Sequence, residues 1–265
     1  MDIKDLGGLG AYAPIFEELY KDMAQPAARN IGLALGAITS IGLFLHLLSS
    51  WSTDRLNICL KKNLDEYAER MKDVPPEDVS EVPPEIGVPI IEKLSYVTNE
   101  ELRKLYIELL AKASIKEEND KAHPNFVNII NSISPDEAIL LKFIKEKEWL
   151  SFVDVAMKAE NYKQYIIDEL VCIYPNIGLT FENNLTSYIY NLSANGIVNI
   201  LKNQSIGDAN EYNRYKIYLN NKKNHYESIY SDIQNVTSRE DKYSLIKGVI
   251  GLTDYGKFFL RSVNQ

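Results

Sequence analysis

An uncharged segment near the N-terminus constrains the fold of this chain most strongly. Residues 30–53 contain no Asp, Glu, Lys or Arg, whereas 25% of the whole chain is charged. As a helix, residues 31–48 would span roughly 27 Å at ~1.5 Å per residue, close to the hydrocarbon thickness of a bilayer. Two interpretations follow: a helix buried in a protein core or an oligomer interface, or a segment that enters or lies on a membrane.

Small side chains recur along the same segment. They lie at strict four-residue spacing, which places them on one side of a helix as a small-residue stripe: Ala24, Ala28, Gly32, Gly36 and Ser40. Such a stripe lets another backbone approach closely, both between soluble helices and in lipid. We therefore predict a long apolar helix over residues 14–48, kinked at Pro26, whose stripe packs against another helix.

The overall composition is that of a folded protein with one or two domains. The chain has 265 residues, 45% of them apolar, and a net charge of −8, which gives no overall attraction to nucleic acid or anionic lipid. Cys59 and Cys172 have no metal or redox spacing, which is typical of a reducing compartment. The first residues lack the apolar core of a signal peptide. We expect a cytoplasmic protein, and the apolar segment leaves open membrane association on activation.

The first 121 residues are predicted to form an N-terminal helical module with a proline-rich connector. Apolar residues recur every three or four positions from Leu56 to Met71, which predicts an amphipathic helix after Thr53. Residues 74–89 contain five prolines and are predicted to form an extended strap. Thr98 and Glu101 have the spacing of a capping box, so we expect a helix over residues 99–114.

Residues 122–265 are predicted to form a winged-helix-like α+β module, which makes the fold class mostly α. Pro124 opens a short helix, and Ser134 and Glu137 have the spacing of a second capping box. The further predicted elements are helices at 135–147, 151–159, 162–173 and 181–195, strands at 197–201 and 245–253, and between these strands an expanded wing at 202–244. Leu252 to Phe259 resembles the LT-x-x-G-x-x-F turn and helix that close many winged-helix domains.

The positions of the basic residues argue against duplex DNA as a partner. The candidate recognition helix, residues 182–195, has no Lys or Arg, and none occurs from Gln164 to Leu201. Protein–DNA contacts depend largely on such groups. The wing does interleave tyrosines with cations that could contact nucleic acid: Arg214, Lys216, Lys222 and Lys223. A solvated hairpin or helix explains the same pattern, so a nucleic-acid-binding regulator is the alternative function.

No pattern in the sequence predicts catalysis. His46, His123 and His225 have no partner at metal-ligand spacing, and no nucleophile elbow, P-loop, dinucleotide fingerprint or kinase signature occurs. The carboxylates fall on the outer faces of amphipathic helices. We therefore expect a protein that is not an enzyme and that has no catalytic residue, no cofactor, no metal and no small-molecule substrate.

Three segments carry a family resemblance. They are Ala24-Gln25-Pro26-Ala27-Ala28, the strap Val74 to Pro89, and the stretch Ala122-His123-Pro124-Asn125-Phe126-Val127 through Ser134-Pro135-Asp136-Glu137-Ala138. Together they resemble the abortive infection alpha family of bacterial phage-defence proteins. The resemblance implies a largely helical phage-defence protein with no assigned catalytic residues.

The residues extend this expectation to a mechanism. An apolar helix with a small-residue stripe can pack away in one state and self-associate in lipid in another, so we expect the helix to be a membrane-active or assembly element. The C-terminal module, residues 134–265, is then expected to sense or dock a protein partner. A purely structural oligomeric scaffold is a further alternative.

Overall fold

The structure is a computed structural model, and it describes residues 25–36, 38, 54–158, 164–174, 177–207, 209–230 and 242–263. These residues form nine α-helices and four strands, so the protein is mostly helical, as predicted. The helices are α1 (Gln25–Ala34), α2 (Asp54–Met71), α3 (Pro84–Leu94), α4 (Glu100–Ala113), α5 (Pro124–Ser132), α6 (Pro135–Lys147), α7 (Leu185–Ala194), α8 (Asn213–Tyr230) and α9 (Asp254–Val263). The strands are β1 (Trp149–Lys158), β2 (Gln164–Val171), β3 (Val198–Lys202) and β4 (Tyr243–Leu252).

The chain divides into two compact units. Unit 1 comprises Met1–Ser132 and Phe258–Gln265, and unit 2 comprises Ile133–Lys257. The predicted domain boundary after residue 121 stays a prediction, because compactness alone does not define a domain.

Unit 1 is built around helices α2, α3 and α4. The amphipathic helix predicted from Leu56 to Met71 is confirmed as α2, whose inner face buries Leu60, Leu64, Tyr67 and Met71. Between α2 and α4, Arg70 Nε lies 3.0 Å from Glu108 Oε1 and Arg103 Nη2 lies 2.8 Å from Glu66 Oε1. Asn63 Nδ2 donates to Leu94 O at 2.6 Å, which ties α2 to the end of α3. Apolar burial and these polar contacts together fix the three helices side by side.

The proline-rich strap is only partly extended, which corrects the prediction for residues 76–78 and 84–89. Pro76–Asp78 form a 3₁₀ helix. Helix α3 begins at Pro84, and Pro89 lies inside it. A proline in the first helical turn loses no hydrogen bond, because the N–H it lacks has no partner there. Further along, burial of Ile86, Ile90 and Leu94 stabilises the helix despite Pro89. Proline count alone therefore does not decide between strap and helix.

Two helix N-termini were predicted from capping patterns. Helix α6 has the predicted capping box, since Ser134 Oγ accepts from Glu137 N at 3.3 Å and Glu137 Oε2 accepts from Ser134 N at 2.6 Å. Helix α4 is confirmed as a helix, but its N-cap is Asn99 and not Thr98. The Asn99 side chain accepts from Leu102 N at 3.2 Å.

Unit 2 contains a four-stranded antiparallel sheet with strand order β2-β1-β4-β3. The strands predicted at 197–201 and 245–253 are confirmed as β3 and β4. The helices predicted at 151–159 and 162–173 are wrong: Trp149–Lys158 form β1 and Gln164–Val171 form β2. Strand β1 is buried along almost its whole length. Only Ser151 and Asp154 interrupt its apolar residues before Lys158, and such a pattern is compatible with either a buried helix or a buried strand.

The predicted wing, residues 202–244, contains the 18-residue helix α8. Helix α8 covers the face of the sheet that carries Val153, Val155 and Met157. Helix α6 lies against β1 and β4, and α7 lies against β3. The specific winged-helix assignment stays a prediction.

The long apolar helix predicted over residues 14–48 lies mostly outside the described residues. Its described part is α1 together with a short continuation to Ile38, where Ala34 and Ile38 are buried. Among the helices that the structure describes, none combines the length and the apolar character needed to cross a bilayer.

Candidate functional site

Tyrosine side chains fasten α8 to the sheet of unit 2. The rings of Tyr212, Tyr215 and Tyr226 are buried over the apolar face of β1. Their hydroxyls also have partners: Tyr212 donates to Gly248 O at 3.3 Å and Tyr215 donates to Ser151 O at 2.6 Å. Tyr226 and Tyr218 both donate to Asp168 Oδ2, at 2.8 and 2.9 Å. Each tyrosine thus combines apolar burial with a polar anchor at its tip.

A partly buried polar cluster lies at the start of α8, and we call it the Arg214 cluster. It consists of Ser151, Tyr174, Glu211, Arg214 and Tyr215. The Arg214 guanidinium carbon lies 4.4 Å from the centre of the Tyr174 ring and 5.1 Å from that of Tyr215. Arg214 Nη2 donates to Ser151 Oγ at 2.7 Å and forms an ion pair with Glu211. The guanidinium is therefore held by stacking, charge and hydrogen bonding at once.

Protonation in the Arg214 cluster follows from burial and from charge. Burial raises the pKa values of Tyr174 and Tyr215, so both stay neutral phenols. Burial would lower the pKa of Arg214, but Tyr215, Tyr174 and Glu211 outweigh it and raise that pKa. Nearby, burial raises the pKa of the Cys172 thiol to about 12, so the thiol is protonated at neutral pH and is a poor nucleophile.

The chemistry available to Ser151 is limited by its neighbours. Its Oγ lies 2.9 Å from Glu211 Oε1 and 3.1 Å from the hydroxyls of Tyr174 and Tyr215, in addition to Arg214. Ser151 is fully buried, and these four partners occupy its hydroxyl. The arrangement joins β1, α8 and the chain after β2, which makes it an anchor for the fold of unit 2.

A second polar network lies on the other face of β1. Lys202 Nζ forms ion pairs with Glu169 and with the buried Asp154, whose Oδ2 is 3.2 Å away. Hydrogen bonding to Lys202 lowers the pKa of Glu169. Asp154 Oδ1 also accepts from Leu170 N at 2.8 Å, and Leu170 adopts the left-handed φ of 51°. The carboxylate thus stabilises a backbone conformation that is unfavourable for leucine.

Asp136 holds the segment that leads into α7. Its carboxylate accepts from Thr180 N, Phe181 N and the Tyr188 hydroxyl, each at 2.9 Å. The segment is therefore fixed while the Phe181 side chain remains 62% exposed. On α7 itself, Tyr190 is 42% exposed and no residue is charged. We call Phe181, Tyr190 and the exposed side of α7 the α7 surface.

No motif in the sequence predicted the α7 surface as a binding site. The absence of Lys and Arg there argued only against DNA as a partner. The same uncharged stretch was the sequence signal that could have indicated a binding surface. An exposed helix that has large aromatic residues but no charge is unusual on a protein surface and typical of interfaces.

The small-residue stripe is described only at its centre. Ala24, the side chain of Ala28 and Ser40 lie outside the described residues. Gly32 is exposed, and a Cβ atom there would meet no other atom within 4 Å. A Cβ atom at Gly36 would lie 3.3 Å from Glu81 Oε1. Space for a neighbouring helix therefore exists at Gly32, whereas Gly36 faces the strap.

The four cations predicted as nucleic-acid contacts separate into two groups. Arg214 points into the Arg214 cluster. Lys216 and Lys222 are exposed on α8, and Lys223 is half-buried on the same helix. Three of the four cations therefore lie at the surface of α8.

The histidines have no metal site around them in the described part of the chain. His123 Nδ1 accepts from Asn125 N at 3.1 Å at the start of α5, and His225 is exposed on α8. His46 lies outside the described residues. No group of three or more His, Cys, Asp or Glu side chains there is arranged to hold a metal ion.

The comparison with known families agrees with the motifs. The profile of the abortive infection alpha family matches residues 59–263, which is most of the chain. The chain therefore belongs to the abortive infection alpha family, as the resemblance predicted. At a general level this membership associates it with abortive infection, and so with defence against phage.

The comparisons with solved structures and with curated proteins do not indicate a function. One solved structure is similar, that of an uncharacterized protein from the hydrocarbon-degrading marine bacterium Alcanivorax borkumensis SK2. The similarity covers 57% of this chain and 96% of that one, at 12% sequence identity and a TM-score of 0.35. A comparison with curated proteins gave no significant match.

Proposed function

We propose that this protein defends bacteria against phage by binding another protein, without catalysing a reaction. Family membership supports the defence role, and the α7 surface supports the binding role. In the Arg214 cluster, the groups that could act chemically are occupied by one another. The exposed groups on the α7 surface are aromatic rings, hydroxyls and amides, which suit recognition.

The α7 surface is the observation that carries the proposal. Asp136 fixes the backbone at Phe181, so presenting this ring costs little conformational entropy on binding. Large aromatic side chains on rigid backbone dominate the energetics of many protein interfaces. Helix α7 itself carries no charge, whereas Glu182 follows Phe181 directly and the Tyr190 hydroxyl hydrogen-bonds Glu169. We propose that the partner is a phage or host protein with an apolar pocket.

For unit 1 we propose that the apolar N-terminal segment is an assembly or membrane-active element. The open space at Gly32 and the 47% exposure of Leu33 support a neighbouring helix on this side of α1. A cytoplasmic location with recruitment to the membrane during infection follows from this proposal.

The docking proposal is tested by removing the two aromatics. The variant Phe181→Ala/Tyr190→Ala should melt close to the wild-type temperature, because Phe181 is 62% and Tyr190 42% exposed and neither belongs to the buried core. It should nevertheless lose protection in a phage plating assay. Tyr96→Ala is the matched control, since Tyr96 is a 46% exposed tyrosine of unit 1. Full protection by a well-folded double variant would show that the α7 surface is not the docking site.

The assembly proposal is tested at Gly32. Gly32→Leu adds bulk where no atom of the described chain lies, so the monomer should fold normally but lose contact with a partner helix. Arg29→Leu is the control, as it adds an exposed leucine to the same helix outside the stripe. Oligomer size in solution and the membrane fraction of infected cells are measured. If Gly32→Leu matches the wild type in both and in phage protection, the stripe is not an interface.

A further inference from the structure

The outer face of α8 is solvent-exposed along the helix. The tyrosines fix the inner side to the sheet, so the opposite side points away from unit 2. Its exposed residues are Asn213, Lys216, Ile217, Asn220, Asn221, Lys222, Asn224, His225, Glu227 and Ser228. We call this set, with the half-buried Lys223, the outer face of α8. It consists mainly of amides and cations, with Glu227 as its one carboxylate and Ile217 as its one large apolar side chain.

The three lysines of this face outnumber its one carboxylate, Glu227. Arg214 is paired with Glu211, and Glu227 lies 3.7 Å from Lys242. Among the described residues, Lys216, Lys222 and Lys223 have no acidic partner, although the chain as a whole carries a charge of −8. Lys222 Nζ lies 6.0 Å from the centre of the Tyr218 ring, a contact that leaves its charge available. A local excess of cations on an acidic protein favours an anionic partner.

We propose that the outer face of α8 binds duplex RNA. Asparagine amides both donate and accept hydrogen bonds, which suits the sugar hydroxyls and base edges exposed in a nucleic-acid groove. A membrane surface would require an apolar helix face, and Ile217 alone does not provide one. Single strands are bound largely by stacking on exposed aromatic rings, whereas Tyr215, Tyr218 and Tyr226 of α8 pack toward the sheet.

The amides of the outer face of α8 are the basis for choosing RNA over DNA. The wide, shallow minor groove of A-form RNA exposes 2′-hydroxyls, which DNA lacks and which these amides can hydrogen-bond. Lys216 and Lys223 are separated by about 10 Å along the helix axis, so they contact different phosphates.

Binding is measured by fluorescence anisotropy with the full chain and RNA or DNA duplexes of the same sequence. With three phosphate contacts and a slope of about −0.9 each, RNA affinity should fall roughly 40-fold from 50 to 200 mM salt. Lys222→Gln/Lys223→Gln should weaken binding at least about tenfold at low salt and reduce that fall to roughly 3-fold. The control Lys145→Gln/Lys147→Gln removes the same charge from exposed positions on α6 and should bind like the wild type.

A second variant tests the amides. Asn220→Ala/Asn224→Ala should reduce the preference for RNA over DNA while leaving the salt dependence unchanged. The proposal is overturned by equal affinity for the two duplexes, by binding that survives Lys222→Gln/Lys223→Gln, by binding to anionic phosphatidylglycerol vesicles but not to RNA, or by no RNA binding at 50 mM salt. The α7 surface lies outside this face, so either proposal can fail without the other.

Discussion

At the scale of single residues, Arg214 has a different role from the nucleic-acid contact that its sequence pattern predicted. The sequence grouped it with three lysines because cations alternate with tyrosines there. In the structure the guanidinium is turned inward onto two rings and Ser151. Tyr215, Leu219 and Tyr226 have helical spacing, which would have placed Arg214 next to the buried face of a helix. The prediction instead treated residues 202–244 as an irregular wing with no helical repeat.

Replacing Arg214 by alanine should destabilise the protein. The variant leaves Glu211 without its cation and removes a donor from the buried Ser151 hydroxyl, so we expect a loss of about 2 kcal/mol in the free energy of unfolding. Lys216→Ala changes an exposed cation two residues away and should cost less than about 0.5 kcal/mol. Urea denaturation measures both, and equal effects would contradict the anchoring role of Arg214.

Asp136 gives a prediction about pH. Burial disfavours its charged form, but hydrogen bonds from Thr180, Phe181 and Tyr188 outweigh burial and lower its pKa. The folded pKa therefore lies below the unfolded value of about 3.9, so the carboxylate stabilises the fold above about pH 4 and this stability is lost as pH falls through the folded pKa. Asp136→Asn should lower the melting temperature at neutral pH and weaken its decline in acid. An unchanged acid decline would contradict this.

At the scale of elements, the sequence predicted most helices of unit 1 and failed at β1 and β2. Capping patterns and a one-sided apolar period marked α2, α4 and α6, because each of these helices has one solvated face. Strand β1 pairs on both sides and is buried on both faces, so its sequence lacks the polar alternation that identifies a strand. The prediction missed the start of α3 because it treated proline only as a residue that ends helices.

Gly256 makes a close contact between two elements, and this contact predicts the effect of adding a side chain there. It lies in the LT-x-x-G-x-x-F pattern at the start of α9, where a Cβ atom would be 2.1 Å from Ile197 O. Backbone cannot move aside as a flexible side chain can, so Gly256→Ala should cost about 3 kcal/mol. Gly207→Ala is the control, because a Cβ atom there meets nothing within 4 Å. A difference of less than about 1 kcal/mol between the two would contradict the close approach.

At the scale of the whole molecule, sequence motifs identified the family but not the proposed docking surface. The family match covers residues 59–263 and so includes parts of both units. The residues that carried the resemblance, such as Ser134 to Ala138, largely build helix caps and the frame around Asp136. The exposed rings of Phe181 and Tyr190 depend on that frame, yet their exposure follows from tertiary packing that a local pattern does not encode.

The central claim is that the protein aborts infection through a docking surface on unit 2. The most direct measurement is phage yield per infected cell, together with cell survival, at phage-to-cell ratios far below and far above one. Cells with the wild-type protein or Tyr96→Ala should die at the high ratio while releasing few phage, and their cultures should survive at the low ratio. Cells with Phe181→Ala/Tyr190→Ala should release as many phage as cells without the protein. A low phage yield from the double variant, or survival of wild-type cells at the high ratio, would contradict the account.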